Sequence, residues 1–281
     1  MKLYCADRIL DLSLPQVMGV LNATPDSFSD GGQFADKDAA IKQAAKMLAD
    51  GASIIDVGGE STRPGAKPVG LQQEMDRVIP IIEKISADLD VCISVDTSSP
   101  EVMLAAKKAG AHILNDVRAL TRKGALQAAF ATELPVCLMH MQGEPSTMQS
   151  DPHYSQVVNE VYGYLASRIA ECVQIGIPRS SILVDPGFGF GKSLAHNYQL
   201  LSQLGRLLDL GVPVLAGLSR KSMIGAVLAD NQGIDRDVSA RLFGSVSGAV
   251  IAAMNGARII RVHDVKETVD AMRVVHATLS A

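Results

Sequence analysis

At 281 residues, 47% of them hydrophobic, the chain is long for one average domain, but α/β barrels reach this size as a single unit with a large core. The charge is balanced, 26 basic residues against 30 acidic for a net −4, which argues against nucleic acid or an anionic membrane as the main partner. Four widely spaced cysteines (Cys5, Cys92, Cys137, Cys172) without a C-x-x-C pair, no apolar signal core and no membrane-length apolar run predict a soluble, cytoplasmic protein with reduced thiols.

Residues 1–14 are short alternating pieces that suggest a small hairpin plugging one end of the fold. From Val17 a repeating unit begins. Apolar runs at 17–21, 53–57, 91–95, 111–114, 135–139, 182–184, 213–216 and 259–262 read as strands, and helical patterns lie between them. Leu71, Met75, Val78, Ile79 and Ile82 recur at helical spacing, as do Val158, Val161, Tyr162, Leu165, Ile169 and Cys172. Ser99-Pro100-Glu101 reads as a cap before a first-turn proline, and Asp264 with Glu267 as a capping box. Eight strands, each followed by a helix, predict a closed (β/α)₈ TIM barrel preceded by a short N-terminal β-hairpin, one domain over residues 1–281. An open doubly wound sheet is the alternative.

In such barrels ligands bind where the strands end. The residues after the apolar runs are Asn22, Asp56 with Glu60, Asp96, Asn115, His140, Asp185, Ser219-Arg220-Lys221, and Arg261 with His263. A rim this polar at every strand exit predicts a site. After Asp185, the loop P-G-F-G-F-G-K lacks the glycine spacing of a P-loop or a dinucleotide fingerprint; its glycines leave room for a flat ligand, with Phe188 or Phe190 against it. Asp96, Asn115 and Asp185 suit the donors of a flat heterocycle, since a carboxylate can accept two N–H groups and an asparagine both donates and accepts. Helix capping is the competing reading for Asn115. Arg63, Arg220, Lys221, Arg261 and His263 are cations converging from three strand ends, a pattern for phosphate or diphosphate. Thr62 and the backbone of Gly58-Gly-Glu-Ser-Thr-Arg-Pro-Gly65 can join them, with surface ion pairing as the alternative for any single one. His140, His153 and Asp151 lack a metal-ligand spacing. No nucleophile elbow is present.

The segments Asn22-Ala-Thr-Pro-Asp-Ser-Phe-Ser-Asp-Gly-Gly32, Asp56-Val-Gly-Gly-Glu-Ser-Thr-Arg-Pro-Gly65, Ser94-Val-Asp-Thr97, Asn115-Asp116, Met139-His-Met141, Asp185-Pro-Gly-Phe-Gly-Phe-Gly-Lys192, Ser219-Arg-Lys-Ser222 and Arg261-Val-His263 together resemble the dihydropteroate synthase family, in order over residues 17–275. Ala23, where many members carry valine, and the segment 229–238 depart from the pattern without touching the site.

The resemblance implies condensation of 6-hydroxymethyl-7,8-dihydropterin diphosphate with p-aminobenzoate, giving 7,8-dihydropteroate and diphosphate for folate synthesis, in a family targeted by sulfonamides. It implies that Asp96, Asn115, Asp185 and Lys221 hold the pterin, and that Asn22, Thr62, Arg63, Arg261 and His263 surround the diphosphate, Asn22 as the ligand of Mg²⁺. Phe28, Pro64, Phe190, Arg220 and Ser222 would form the p-aminobenzoate pocket, with Asp30, Arg63, Lys221 and His263 as the catalytic set. A methyltetrahydrofolate-binding methyltransferase domain and a non-catalytic pterin-binding protein are the competing readings. Finally, the helix near 239–255 is apolar and small on several faces, which predicts a homodimer interface.

Overall fold

In a computed structural model, which describes residues 1–23, 32–60, 69–144 and 147–281 (side chains in the first helix from residue 37), the chain opens with an antiparallel hairpin. Its strands β1 (Lys2–Cys5) and β2 (Arg8–Asp11) pair with Tyr4 opposite Ile9. Eight parallel strands follow: β3 (Gln16–Asn22), β4 (Ile54–Gly58), β5 (Cys92–Asp96), β6 (Ile113–Asp116), β7 (Val136–Met139), β8 (Ile182–Asp185), β9 (Leu215–Ala216) and β10 (Ile259–Val262). They pair in the order β8-β7-β6-β5-β4-β3-β10-β9, and a single bridge from Val184 to Val214 closes the seam, so the expected barrel forms and the open sheet does not. The helices around it are α1 (Gly32–Ala49), α2 (Leu71–Asp88), α3 (Pro100–Ala109), α4 (Ala125–Thr132), α5 (Val157–Ile175), α6 (Leu194–Ser202), α7 (Ser222–Val227), α8 (Leu242–Met254) and α9 (Val265–Leu279).

Alternation along each strand sorts side chains into two environments, because successive residues of a strand face opposite sides. Ile55, Val57, Ile93, Val95, Leu114, Leu138, Val184, Ile260 and Val262 turn outward into the helix layer. Met18, Ile54, Cys92, Ile113, Cys137, Leu183, Leu215 and Ile259 turn inward at the strands' beginnings, where Leu3, Cys5, Leu10 and Leu12 of the hairpin close over them. The hairpin is therefore the plug that the sequence suggested. At ~1.5–3 kcal/mol for each large aliphatic side chain removed from water, this floor is a main source of stability. Two residues further along the strands, the inward positions become polar: Asp56, Ser94, Asn115 and Asp185.

The two capping signals mark their helix starts correctly, but neither side chain caps its helix. Ser99 stands at the N-cap of α3 with Pro100 in the first turn, but its hydroxyl donates to Glu74 Oε2 (2.8 Å) and does not cap. Asp264 precedes α9 without forming a box with Glu267, because Arg220 has taken its carboxylate. The capping box that does form, Ser193 with His196 at the start of α6, uses a histidine in the third position, where the sequence signal is Glu or Gln. Among the described residues no helix is long and apolar enough to cross a membrane.

Candidate active site

At the carboxyl end of the barrel the inward polar residues meet. Arg261, on β10, donates from Nε to Asp56 Oδ2 (2.6 Å) and from Nη2 to Asp96 Oδ2 (2.8 Å), linking β10, β4 and β5 across the mouth. Asn115, beside Asp96 in register, donates from Nδ2 to the same Asp56 oxygen (3.1 Å). Burial lifts the Asp96 carboxyl to about 7, against the pull of Arg261. Burial also works against the Arg261 charge, yet Asp56 and Asp96 hold its pKa above the usual value. Among the described residues, two of the five N–H donors of Arg261 are committed to these carboxylates. Asn115 thus bonds across the strands and caps no helix.

On the other side of the mouth, Asp185 ends β8 and accepts the Gly187 N–H (2.7 Å) through Oδ1. Burial raises its pKa, with Lys221 as the chief opposing charge. Lys221 answers in kind: burial lowers its ammonium to about 8, with Asp185 pulling it back up. Lys221 donates to the Phe188 carbonyl, and its Nζ lies 4.6 Å from the Phe190 ring centroid. Phe188 is fully buried and belongs to the packing, so of the two aromatics only the half-buried Phe190 borders the mouth.

The glycines of this loop are there for close approach. Gly187 has φ +67°, and a Cβ on it would lie 1.9 Å from the His140 carbonyl oxygen. Beneath the loop, buried Lys192 donates to Gly187 O (2.8 Å), Phe190 O (3.0 Å) and His140 Nδ1 (2.9 Å). Burial lowers Lys192 well below the lysine range and, first by desolvation and then through Lys192, lowers His140 to about 3. His140 is therefore a neutral acceptor inside the fold, whereas His153 is exposed. Among the described residues no group of three His, Cys, Asp or Glu is placed to hold a metal.

The other expected residues divide. Asn22 ends β3 at the rim, paired in register with Gly58. Ser219 Oγ sits 3.1 Å from His263 Nδ1 and accepts the His263 N–H (3.2 Å), joining the ends of β9 and β10. Arg220 adopts φ 60°, a conformation unusual for a side-chain-bearing residue, and its guanidinium pairs with Asp264. Exposed Ser222 opens α7. Phe28, Asp30, Thr62, Arg63 and Pro64 lie outside the described residues. Two contributors had no role assigned from sequence, Asp56 and Lys192. The first was legible in the alternation of I-I-D-V-G, which sets Asp56 inward between Ile54 and Gly58; nothing in the sequence distinguishes the second from a surface lysine.

Comparison with known proteins places this geometry. The model of the family described as "Pterin binding enzyme" matches residues 18–263. The dihydropteroate synthase of Escherichia coli (strain K12) is 58% identical over 281 residues, spanning 100% of this chain and 98% of that protein. The crystal structure of the Yersinia pestis dihydropteroate synthase with a sulfonamide drug complex superposes with a TM-score of 0.93 at 53% identity, covering 100% of both chains. The Xanthomonas albilineans dihydropteroate synthase in complex with 7,8-dihydropteroate gives 0.90 at 46% identity, again over 100% of both.

Proposed function

This chain belongs to the dihydropteroate synthase family of pterin-binding enzymes, and from that premise we propose how its own residues divide the reaction. The enzyme is a transferase that joins p-aminobenzoate to 6-hydroxymethyl-7,8-dihydropterin diphosphate, releasing diphosphate and 7,8-dihydropteroate. The observation that supports the division is the mouth itself, where buried Asn115 and Asp185 and half-buried Asp96 stand as acceptors beside two half-buried cations, Lys221 and Arg261.

In this reading Asp185 accepts from the pterin's 2-amino group and adjacent ring N–H, with Asn115, Asp96 and Lys221 completing the edge. A flat ring then lies beside Phe190, above the glycine loop that Lys192 holds. Arg261 and His263, with Thr62 and Arg63, take the diphosphate. Departure of that group leaves positive charge on a methylene carbon, which the electron-rich pterin shares and the cations around the leaving group favour. Asp30 stabilises the developing cation. The aniline nitrogen is weakly basic and needs placement more than activation. Phe28, Pro64, Phe190, Arg220 and Ser222 supply that placement. For Arg220 the role requires that its guanidinium either leave Asp264 or act while paired to it.

Asn22, at the end of β3 on the rim, would hold a Mg²⁺ ion, which takes one or two protein oxygens and completes its shell with water and substrate phosphate. When bound, the ion neutralises leaving-group charge. A methyltetrahydrofolate-binding domain shares the pterin anchors but has no use for the anion groups around Arg261 and His263.

Three further points belong to the same reading. Residues 1–281 act as one domain, because the hairpin shares its core with the barrel floor. The chain works in the cytoplasm, in keeping with four free, buried cysteines. It forms a homodimer through α8, which leaves Phe243 83% exposed and Ile251 and Met254 exposed further along the same helix. Sedimentation as a monomer at micromolar concentration removes the dimer. The activity is tested with purified protein, labelled p-aminobenzoate, pterin diphosphate and Mg²⁺. Labelled dihydropteroate and diphosphate are expected in equal amounts, and a folded protein that makes neither overturns the reading.

A further inference from the structure

One residue touches both halves of the proposed site without belonging to either. Asp56 is fully enclosed, so no ligand reaches it, and no role in the reaction follows from its motif position. Its Oδ2 accepts from Asn115 Nδ2 (3.1 Å), on the pterin side, and from Arg261 Nε (2.6 Å), on the diphosphate side. The other oxygen, Oδ1, is buried and takes no hydrogen bond from the described residues, as is the case for the hydroxyl of Ser94 at the register-paired position of β5. Here all of the bonding runs through one oxygen, and its two donors are the residues assigned to different ligands.

We propose that Asp56 is a positioning residue that couples the pterin and diphosphate subsites, so that each group binds more tightly when the other is present. The inference rests on the ligand assignment made above. The bond to Asp56 fixes which end of the Asn115 amide faces the barrel interior, leaving Oδ1 and one N–H of that amide for the pterin edge. The bonds to Asp56 and Asp96 hold the Arg261 guanidinium in one plane. Ordering either donor orders the shared oxygen, and the second ligand then meets a partner already placed. Such coupling favours the intact pterin diphosphate over its separate parts and keeps the leaving group aligned with the ring it leaves.

The test is calorimetry on the full chain, with Mg²⁺ in every arm, using 6-hydroxymethyl-7,8-dihydropterin and inorganic diphosphate as separate ligands. In the parent protein each should raise the affinity for the other by about tenfold, and reciprocally. Asp56→Asn keeps an oxygen for the two donors while removing the charge. It should bind each ligand alone and lose most of the coupling, to within about twofold of independence. Arg261→Lys keeps a cation but cannot span two carboxylates with a rigid fork, and it should lose the coupling as well. A merely structural role would weaken both ligands without changing their mutual effect. Independent binding in the parent, or full coupling in Asp56→Asn, overturns the proposal while leaving the function intact. If Asp56→Asn does not fold, coupling retained in Arg261→Lys overturns it. Failure of either ligand to bind the parent overturns the ligand assignment and this proposal with it.

Discussion

The two ends of one barrel are built from the same strands and obey opposite rules. At the floor, Met18, Ile54, Cys92, Ile113, Cys137, Leu183, Leu215 and Ile259 meet the hairpin in a close apolar cluster. Two residues later on several of these strands, the mouth crowds Asp56, Ser94, Asp96, Asn115, Asp185, Lys221 and Arg261 into a space where burial shifts the carboxyls of Asp96 and Asp185 upward and the ammonium of Lys221 downward. The floor gains stability from every side chain it encloses. The mouth spends part of that gain on keeping charges out of water, where they are ready for a ligand. One register step of two residues separates the two regimes, so substitutions at neighbouring inward positions should have opposite signatures.

The largest expected effect is at the mouth. Asp185→Asn places an amide donor where an acceptor is needed, and should cost on the order of 3–5 kcal/mol in pterin affinity, at least a hundredfold. Circular dichroism and the denaturation midpoint should stay near the parent, because the change also removes a buried charge. Pterin binding within threefold of the parent in a folded variant would place the pterin elsewhere.

Ile113→Ala, two residues before Asn115, should show the reverse. It opens a cavity in the floor and should cost ~2–5 kcal/mol of stability by urea denaturation. Pterin affinity under folding conditions should change little; a large loss of affinity with unchanged stability would break the division between the two ends.

The pH dependence sharpens the same contrast. Lys221 loses its proton near pH 8 in the free site, so pterin affinity should fall as pH rises through 8, by up to about tenfold per unit. Calorimetry showing a flat profile between pH 7 and 9.5 would take Lys221 out of the binding set.

The smallest effect belongs to His112 at the floor. Its Nδ1 accepts the Ile93 N–H (3.0 Å), and burial, then Arg8, lowers its pKa below 6.5. A lowered folded-state value means that the unfolded chain takes up the proton first. Stability should therefore decline as pH falls below 6.5, and His112→Gln should flatten that part of the melting-temperature profile.

Much of this architecture was written locally. Continuous apolar runs located all eight barrel strands and helical spacing located α2 and α5, because buried parallel strands and a half-buried helix layer impose those patterns on any chain that packs this way. Strand ends named the candidate residues, since a parallel barrel brings all its carboxyl ends to one face. What spacing could not supply was who bonds to whom. Arg261 was read as an anion cation and stands 205 positions from Asp56, its shortest partner. Asp264 was read as a cap and serves Arg220, and Lys192 sits under the glycine loop instead of in water. The sequence by itself determined the fold class, the family motifs and the face on which the site lies, because each of these is set by residues within one element or by the order of elements. Only the tertiary structure decided the pairing of charges and their altered proton affinities. Those depend on distances across the closed barrel and on burial, two quantities that arise only when all eight strands are together.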